Sequence, residues 1–255
     1  MVKKGTTKKG TKEEYLELSN YAKNYDHSKT KNEIKDYFNY LYDVNDMDEL
    51  GLYLQICIKK SKPMYLHGYV LTSALHKYIK DNNINNLIIL ETGTARGFSS
   101  ICMGKILEKF DIKGSIHTID ILKHNKKTYW NCILDENSPQ TRHELLEKWS
   151  NIRDNYLKFH VGNSKDILND LDLPRINFAF LDARHDYSHV KLELEYVSKR
   201  QQSGDIIVCD DYTKGQYEGI IQAIDEFLEN NLYNFKIFYG HDGSKNRGYV
   251  YMERK

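Results

Sequence analysis

Short apolar runs recur along the later three quarters of the chain, at Leu87 to Leu90, Ser115 to Ile119, Tyr156 to Val161, Ile176 to Leu181, Asp205 to Cys209, Asn234 to Tyr239 and Gly248 to Met252. Each has the length of a strand. Between most of them apolar residues return every three or four positions, over Ser99 to Phe110, Arg142 to Arg153, Ser164 to Leu171, Ser188 to Arg200 and Gly219 to Asn230. That is the period of a helix packed along one side. Strands alternating with helices predict an α/β fold, a doubly wound and mostly parallel seven-stranded sheet with helices on both faces.

The chain before these runs reads differently. From Glu13 to Lys62 the spacing is helical, with Tyr15, Leu18, Ala22 and Tyr25, then Ile34, Tyr37, Phe38 and Leu41, and a third stripe of Leu50, Tyr53, Leu54 and Cys57 that Asp46 or Asp48 could cap. Pro63 breaks the pattern, and a helix from Met64 to Lys80 leads through DNNINN into the first strand. The expected organisation is a flexible basic tail over 1–12, a helical segment over 13–62 and an α/β domain over 63–255.

Composition narrows the function classes. With 255 residues, 40% of them apolar, the chain can bury a large core, and its formal charge of +1 gives no global field toward nucleic acid or an anionic membrane. Only the start is locally basic, with Lys3, Lys4, Lys8, Lys9 and Lys12 among Gly and Thr. It heads no apolar stretch, so neither a signal peptide nor a membrane span is expected, and the expected location is the cytoplasm. Cys57, Cys102, Cys132 and Cys209 form no CxxC pair, against a zinc site or a disulfide framework.

In sheets of this kind ligands bind beyond the carboxyl ends of the strands. There the chain places Glu91 with the turn Gly93 to Gly97, then Asp120, then Gly162, Asn163 and Ser164, then Asp182 to His185, and last Asp210 and Asp211. Gly93 allows a tight turn and close approach of a ligand, and Gly97 allows the next helix to pack near the strand. The spacing differs from the dinucleotide fingerprint GxGxxG, since Ala95 stands where a pyrophosphate needs a missing side chain. Glu91 suits a cationic ligand, and Asp120 stands where ribose hydroxyls are accepted. A cationic ligand carrying a ribose is S-adenosylmethionine. Taken alone, the turn is moderately specific, and a structural turn without ligand is the lesser alternative.

ETGTARGFSS, HTID, VGNS, FLDARHDYSHV and IIVCDDY, in that order over 63–255, resemble the class I S-adenosylmethionine-dependent methyltransferases, with their Rossmann-like fold. Within that group the chain looks like the metal-dependent O-methyltransferases of the macrocin or sugar-hydroxyl type, and more distantly like catechol O-methyltransferase. The resemblance implies that Glu91, Gly93 and Gly97 surround the methionine part, that Asp120 takes the ribose, and that Asn163 or Ser164 meets the adenine edge. Thr94, Ser99 and Asp182 complete the implied cofactor-binding set. Asp182, Asp210 and Asp211 would hold Mg²⁺ or Mn²⁺, with His185 the catalytic base. The family's loop after strand four more often reads DGDHSY, so Ala183, Arg184 and Asp186 depart from it.

The residues argue the same chemistry independently. Three carboxylates at neighbouring strand ends repel one another by about 4 kcal/mol per pair at about 4 Å and an effective dielectric of about 20, so a proton or a hard cation must relieve them. Asp210 and Asp211 alone could equally form a turn, and Asp182 favours the metal. His185 lies three residues after Asp182 and could take the proton of an acceptor hydroxyl, whereas His189 reads as a packing residue. Tyr187, Tyr212, Tyr217 and Trp130 could line an acceptor pocket. The expected partner is a small-molecule hydroxyl acceptor, a sugar or glycoside ahead of a phenol or catechol. A nucleic-acid enzyme is disfavoured because LDARHDY stands where base amino-group enzymes carry an Asn/Asp-Pro-Pro-aromatic turn, and a non-catalytic binding protein is the other alternative. Whether the N-terminal helices cover the pocket or build a homo-oligomer stays open.

Overall fold

The computed structural model describes residues 7–136 and 138–255; Lys3 and Lys4 of the basic tail lie outside the described residues. Seven strands, β1 (Asn86–Thr92), β2 (Lys113–Asp120), β3 (Leu157–Val161), β4 (Phe178–Leu181), β5 (Ile206–Cys209), β6 (Tyr233–His241) and β7 (Asn246–Arg254), form one sheet in the order β3-β2-β1-β4-β5-β7-β6. β1 to β5 pair in parallel, while β7 runs antiparallel to both β5 and β6. The chain winds outward from β1 to β3 and then returns to β4 on the other side of β1. That reversal opens a crevice at the carboxyl ends of β1 and β4, where ligands bind in such sheets.

The period of two along each strand divides the core into two layers. Leu87, Ile89, Phe178, Phe180, Ile206, Val208, Tyr249 and Tyr251 point to one layer; Leu90, Ala179, Leu181, Ile207, Cys209, Val250 and Met252 point to the other. The second layer is closed by α8 (Ser164–Asp170), α9 (Tyr187–Ser198) and α10 (Glu218–Leu228). The first is closed by α4 (Leu66–Asn82), α5 (Phe98–Lys109), α7 (Ser150–Tyr156) and the N-terminal helices α1 (Lys12–Asn24), α2 (Ser28–Phe38) and α3 (Val44–Leu50). Tyr15, Ala22, Ile34, Phe38, Met47 and Leu54 therefore share one continuous core with Leu71, Ile101 and Phe180. α1 starts one residue before the expected boundary, because Thr11 and Glu14 form a capping box.

The periodicity over Arg142 to Arg153 reads as one helix, but the chain forms α6 (Arg142–Leu145), a 3₁₀ turn at Glu147–Trp149 and then α7. The carbonyl of His143, freed by the break, accepts from Arg153 Nη1 at 2.7 Å.

Candidate active site

β1 ends against the loop that follows β4. The Asp182 N–H donates to Thr92 O at 2.9 Å. Gly93 is left-handed, with φ of 96°, and a Cβ there would lie 2.1 Å from the Asp182 carbonyl oxygen. Its missing side chain thus serves contact between the two loops, and this contact brings the glycine turn to the acids. Gly97, with φ of 90°, precedes α5, and a Cβ on it would meet the Leu146 methyls at 3.1 Å. The room it makes is for the end of α6, not for its own strand as expected.

Between the glycines, Ala95 is left-handed too, with φ of 45°, a conformation that costs a residue with a Cβ. Two buried groups hold it there. Its N–H donates to Asp120 Oδ2 at 2.6 Å, and its carbonyl accepts from Arg142 Nε at 2.9 Å. Arg142 Nη2 also meets Asp120 Oδ2 at 3.1 Å and Nη1 donates to Leu122 O at 3.2 Å. The guanidinium is 1% exposed and lies 5.2 Å from the ring of Trp130 and 5.9 Å from that of Phe159. The acid expected at the ribose is therefore pre-set by a buried cation.

Glu91 is placed differently from the expectation of an acid facing a cationic ligand. It is fully buried, and Ser99, Ser100 and Thr118 all donate hydroxyl hydrogen bonds to its carboxylate. Burial raises its pKa despite those donors. The side chain points into the protein from β1 and ties α5 to β2. Ser99 is thereby engaged inward, and buried Thr94 pairs with Thr118. Asn163 caps α8 by accepting from the Lys165 N–H at 3.1 Å, and Ser164 is buried beside it.

At the ends of β4 and β5 the donor atoms of Asp182, His185 and Asp211 all lie within 4.8 Å of one another. His185 Nε2 is 3.1 Å from Asp211 Oδ2 and 3.7 Å from Asp182 Oδ1. The expected trio of Asp182, Asp210 and Asp211 is altered in one respect: Asp210 lies outside this group. Its Oδ1 accepts the Asp211 N–H at 2.6 Å, a turn that puts Asp211 at φ of 61° and swings its carboxylate toward His185. Burial, and then the charge of Asp210, raise the pKa of Asp182 well above the usual range and that of Asp211 to about 6; burial raises Asp210 as well. For His185 burial works against protonation, but Asp182, Asp211 and Asp210 outweigh it and hold its pKa above 6.5.

The neighbours of this cluster sort the remaining candidates. Tyr217 packs edge-on against His185, with ring centroids 4.5 Å apart. Tyr212 is buried and donates to Asp225, Tyr187 donates to Glu226, and Trp130 covers Arg142, so none of these three reaches His185. His189 is buried with Nδ1 2.8 Å from Asp186, which also caps α9, and exposed Arg184 pairs with the same carboxylate. Those contacts account for the two departures at Arg184 and Asp186. Local spacing carries no sign of Arg142, nor of Arg247 and Lys59, the last two of which act by their charges on Asp210 and Asp211. It also missed Glu193, 1% exposed, which accepts from Thr92 Oγ1 at 3.0 Å and leaves Oε1 without a partner.

Residues 90–212 match the Methyltransf_24 family, described as a methyltransferase domain. Among solved structures, the chain is similar to the O-methyltransferase TomG from Streptomyces achromogenes, involved in tomaymycin synthesis and in complex with SAM, with a TM-score of 0.55 and 15% identity over 90% of this chain and 99% of that one. It is similar also to an O-methyltransferase from Bacillus cereus in complex with SAH, with a TM-score of 0.53 and 16% identity over 96% of this chain and 100% of that one. For the O-methyltransferase NovP the TM-score is 0.52 and the identity 18%, over 74% and 79%. No curated protein matches the chain. At such identities the solved structures speak for the fold, and the family match covers every strand end from Glu91 to Asp211. The chain thus shares the fold of these O-methyltransferases, and its middle part matches a methyltransferase domain family over the stretch that holds the motifs. Among the described residues no helix is long and apolar enough to cross a membrane.

Proposed function

We propose that the protein is an S-adenosylmethionine-dependent O-methyltransferase that methylates a hydroxyl of a sugar, a glycoside or a similar small molecule, with Mg²⁺ or Mn²⁺ at the acids. The observation that carries this reading is the meeting of Asp182, His185 and Asp211 beside the Gly93 turn. Two carboxylates within 4.8 Å repel by at least about 3.5 kcal/mol at an effective dielectric of about 20. Oxygen donors with one imidazole and no thiolate suit a hard divalent ion. Asp182 and Asp211 would hold it, with Asp210 fixing the turn between them. Such a cation acidifies a hydroxyl placed beside it.

His185 then takes the hydroxyl proton on Nε2, the atom that faces the acids. Burial works against its protonation, while the charges of Asp182, Asp211 and Asp210 raise its pKa above 6.5, and a base works best with a pKa near the working pH. Tyr217 fixes the imidazole plane from the side. Asp120 and the Ala95 turn supply the cofactor side of the crevice, with Asn163 and Ser164 at its far edge. S-adenosylmethionine brings the methyl group as a sulfonium, and its own charge supplies the driving force.

The test is turnover of methyl-labelled S-adenosylmethionine against a panel of sugar, glycoside and phenolic hydroxyls, with and without chelator, beside calorimetry with S-adenosylhomocysteine. Binding of S-adenosylhomocysteine, metal-dependent turnover and a melting temperature raised by Mg²⁺ or Mn²⁺ are the expected results. Full activity in excess chelator sinks the metal, and no binding of S-adenosylhomocysteine sinks the whole reading.

A further inference from the structure

Arg96 sits in the middle of the glycine turn, yet its side chain leaves the crevice altogether. Nε donates to Leu54 O at 2.7 Å, Nη2 to Gln55 O at 3.1 Å and Nη1 to Trp130 O at 3.1 Å. Two of these carbonyls belong to the N-terminal helical segment. After α3 the chain makes a π-helical turn over Gly51–Gln55, closed by the Ile56 N–H on Gly51 O at 2.8 Å, and is extended from Ile56 onward. The last carbonyls of such a turn have no helical amide to accept from. Arg96 supplies the donors from 41 and 42 residues away.

The next stretch is held from the same side. The Asn131 side chain accepts from Ile58 N–H at 3.1 Å and donates to Ile58 O at 2.9 Å. Immediately after Ile58 comes Lys59, whose charge is felt at Asp210, Asp211 and buried His67. On the other side of Arg96, Ala95 is kept in its left-handed conformation by Asp120 and Arg142. A tie thus runs from Asp120 through the turn to the chain segment Leu54–Ile58.

We infer that Arg96 is a positioning residue that makes the β1–α5 turn and the segment Leu54–Lys59 one unit, so that seating of the cofactor and ordering of this segment are coupled. The cofactor half rests on the proposed function; the mechanical half does not. Coupling is reciprocal: whatever orders one side orders the other by the same factor.

The experiment is amide exchange read by mass spectrometry on peptides covering 51–62 and 92–100, in the full chain. Asn131→Ala removes the bonds to Ile58 and the 3.2 Å bond that Tyr15 Oη donates to Oδ1, all made by a side chain that has no hydrogen bond to residues 93–97. It should speed exchange in both peptides, about tenfold, the middle of the usual range for a coupling between sites. In an Arg96→Ala background, Asn131→Ala should still loosen 51–62 and leave 92–100 unchanged. With S-adenosylhomocysteine, the wild type should gain protection in 51–62, and Arg96→Ala, saturated with the same ligand, should not. A turn unaffected by Asn131→Ala in the wild-type background overturns the inference, as does ligand-induced protection that survives Arg96→Ala. Arg96→Lys keeps the charge but cannot reach three carbonyls; it should fold and show weakened coupling, and coupling equal to the wild type overturns the inference even where Arg96→Ala fails to fold. If S-adenosylhomocysteine does not bind the wild type, the proposed function falls, while the exchange measurements without ligand still decide the role of Arg96.

Discussion

Glu193→Gln is the substitution whose effect can be worked furthest from the structure. Glu193 is 1% exposed on α9, and only one of its oxygens, Oε2, has a hydrogen bond from Thr92, at 3.0 Å. Burial raises its pKa from 4.5 to about 7 against the hydrogen bond from Thr92. The folded value is above the unfolded one, so the folded chain keeps a proton that the unfolded chain has already lost. This contribution is complete below pH 4.5 and disappears as pH rises through about 7. The distance between those values corresponds to about 3 to 4 kcal/mol at about 1.4 kcal/mol per pH unit. Glutamine has nearly the same shape and does not ionise. Its amide lacks a partner where Oε1 lacked one, a cost of about 1 to 3 kcal/mol that is the same at every pH. Only the dependence on pH therefore isolates the carboxylate. Melting curves from pH 4.5 to 8 should show the wild type losing about 7 to 14 °C relative to Glu193→Gln, at 2 to 4 °C per kcal/mol for a chain of this size. The other acids titrate in both proteins and cancel. Parallel curves would refute the reasoning and place Glu193 in contact with water.

Three further substitutions have expected outcomes. His185→Ala should lower turnover by about 10² to 10⁴ without changing the affinity for S-adenosylhomocysteine; because its pKa lies above 6.5, the wild-type rate should rise with pH through that value and the mutant should lose this limb. Near-normal turnover in His185→Ala would remove the base from the mechanism. Arg142→Leu leaves part-exposed Asp120 without its cation and the Ala95 and Leu122 carbonyls without their donor, and should cost about 1 to 3 kcal/mol in urea unfolding; a loss below about 0.5 kcal/mol would show that water replaces the guanidinium. Gly93→Ala must place its Cβ 2.1 Å from the Asp182 carbonyl at φ of 96°, and strain of about 1 to 3 kcal/mol is the minimum for the conformation alone. It should therefore lower both stability and metal affinity, and a variant with unchanged metal affinity would show that the two loops do not set each other.

The alternating runs revealed every strand, because a buried parallel strand leaves an apolar run bounded by turn residues, and the strand ends then pointed to the acids. Direction was harder to read. Glu91 and Asp120 occupy similar places in the pattern, yet the pleat turns Glu91 into the hydroxyls of Ser99, Ser100 and Thr118 and leaves Asp120 at the crevice. Asp210 and Asp211 are adjacent, and only the left-handed backbone at Asp211, unusual for a non-glycine, decides which carboxylate meets His185. Arg96 and Arg142 were invisible because a lone arginine in a polar stretch reads as solvated surface. Their partners are largely backbone carbonyls 34 to 47 residues away, which no local spacing encodes. The break after α6 was missed for the same reason, since the side chain that compensates it is at the far end of the apparent helix.

The neighbouring pairs Leu181 with Cys209 and Thr92 with Leu181 carry a consequence for what can vary around the acids. The sheet ladder continues one residue past the strands: Asp182 N–H reaches Thr92 O at 2.9 Å, and Asp210 N–H reaches Leu181 O at 3.2 Å. The first residue of each acidic loop is thus hung on the backbone of the next strand, where side-chain identity has no influence. Residues 183–184 and 214–216 can change in composition while the spacing of Asp182 and Asp210 stays fixed by hydrogen bonds of the sheet, whereas His185 and Asp211 are placed by the loops themselves. The first acid of each loop is anchored to the part of the molecule hardest to deform, and the imidazole and the second carboxylate that meet there hang from it.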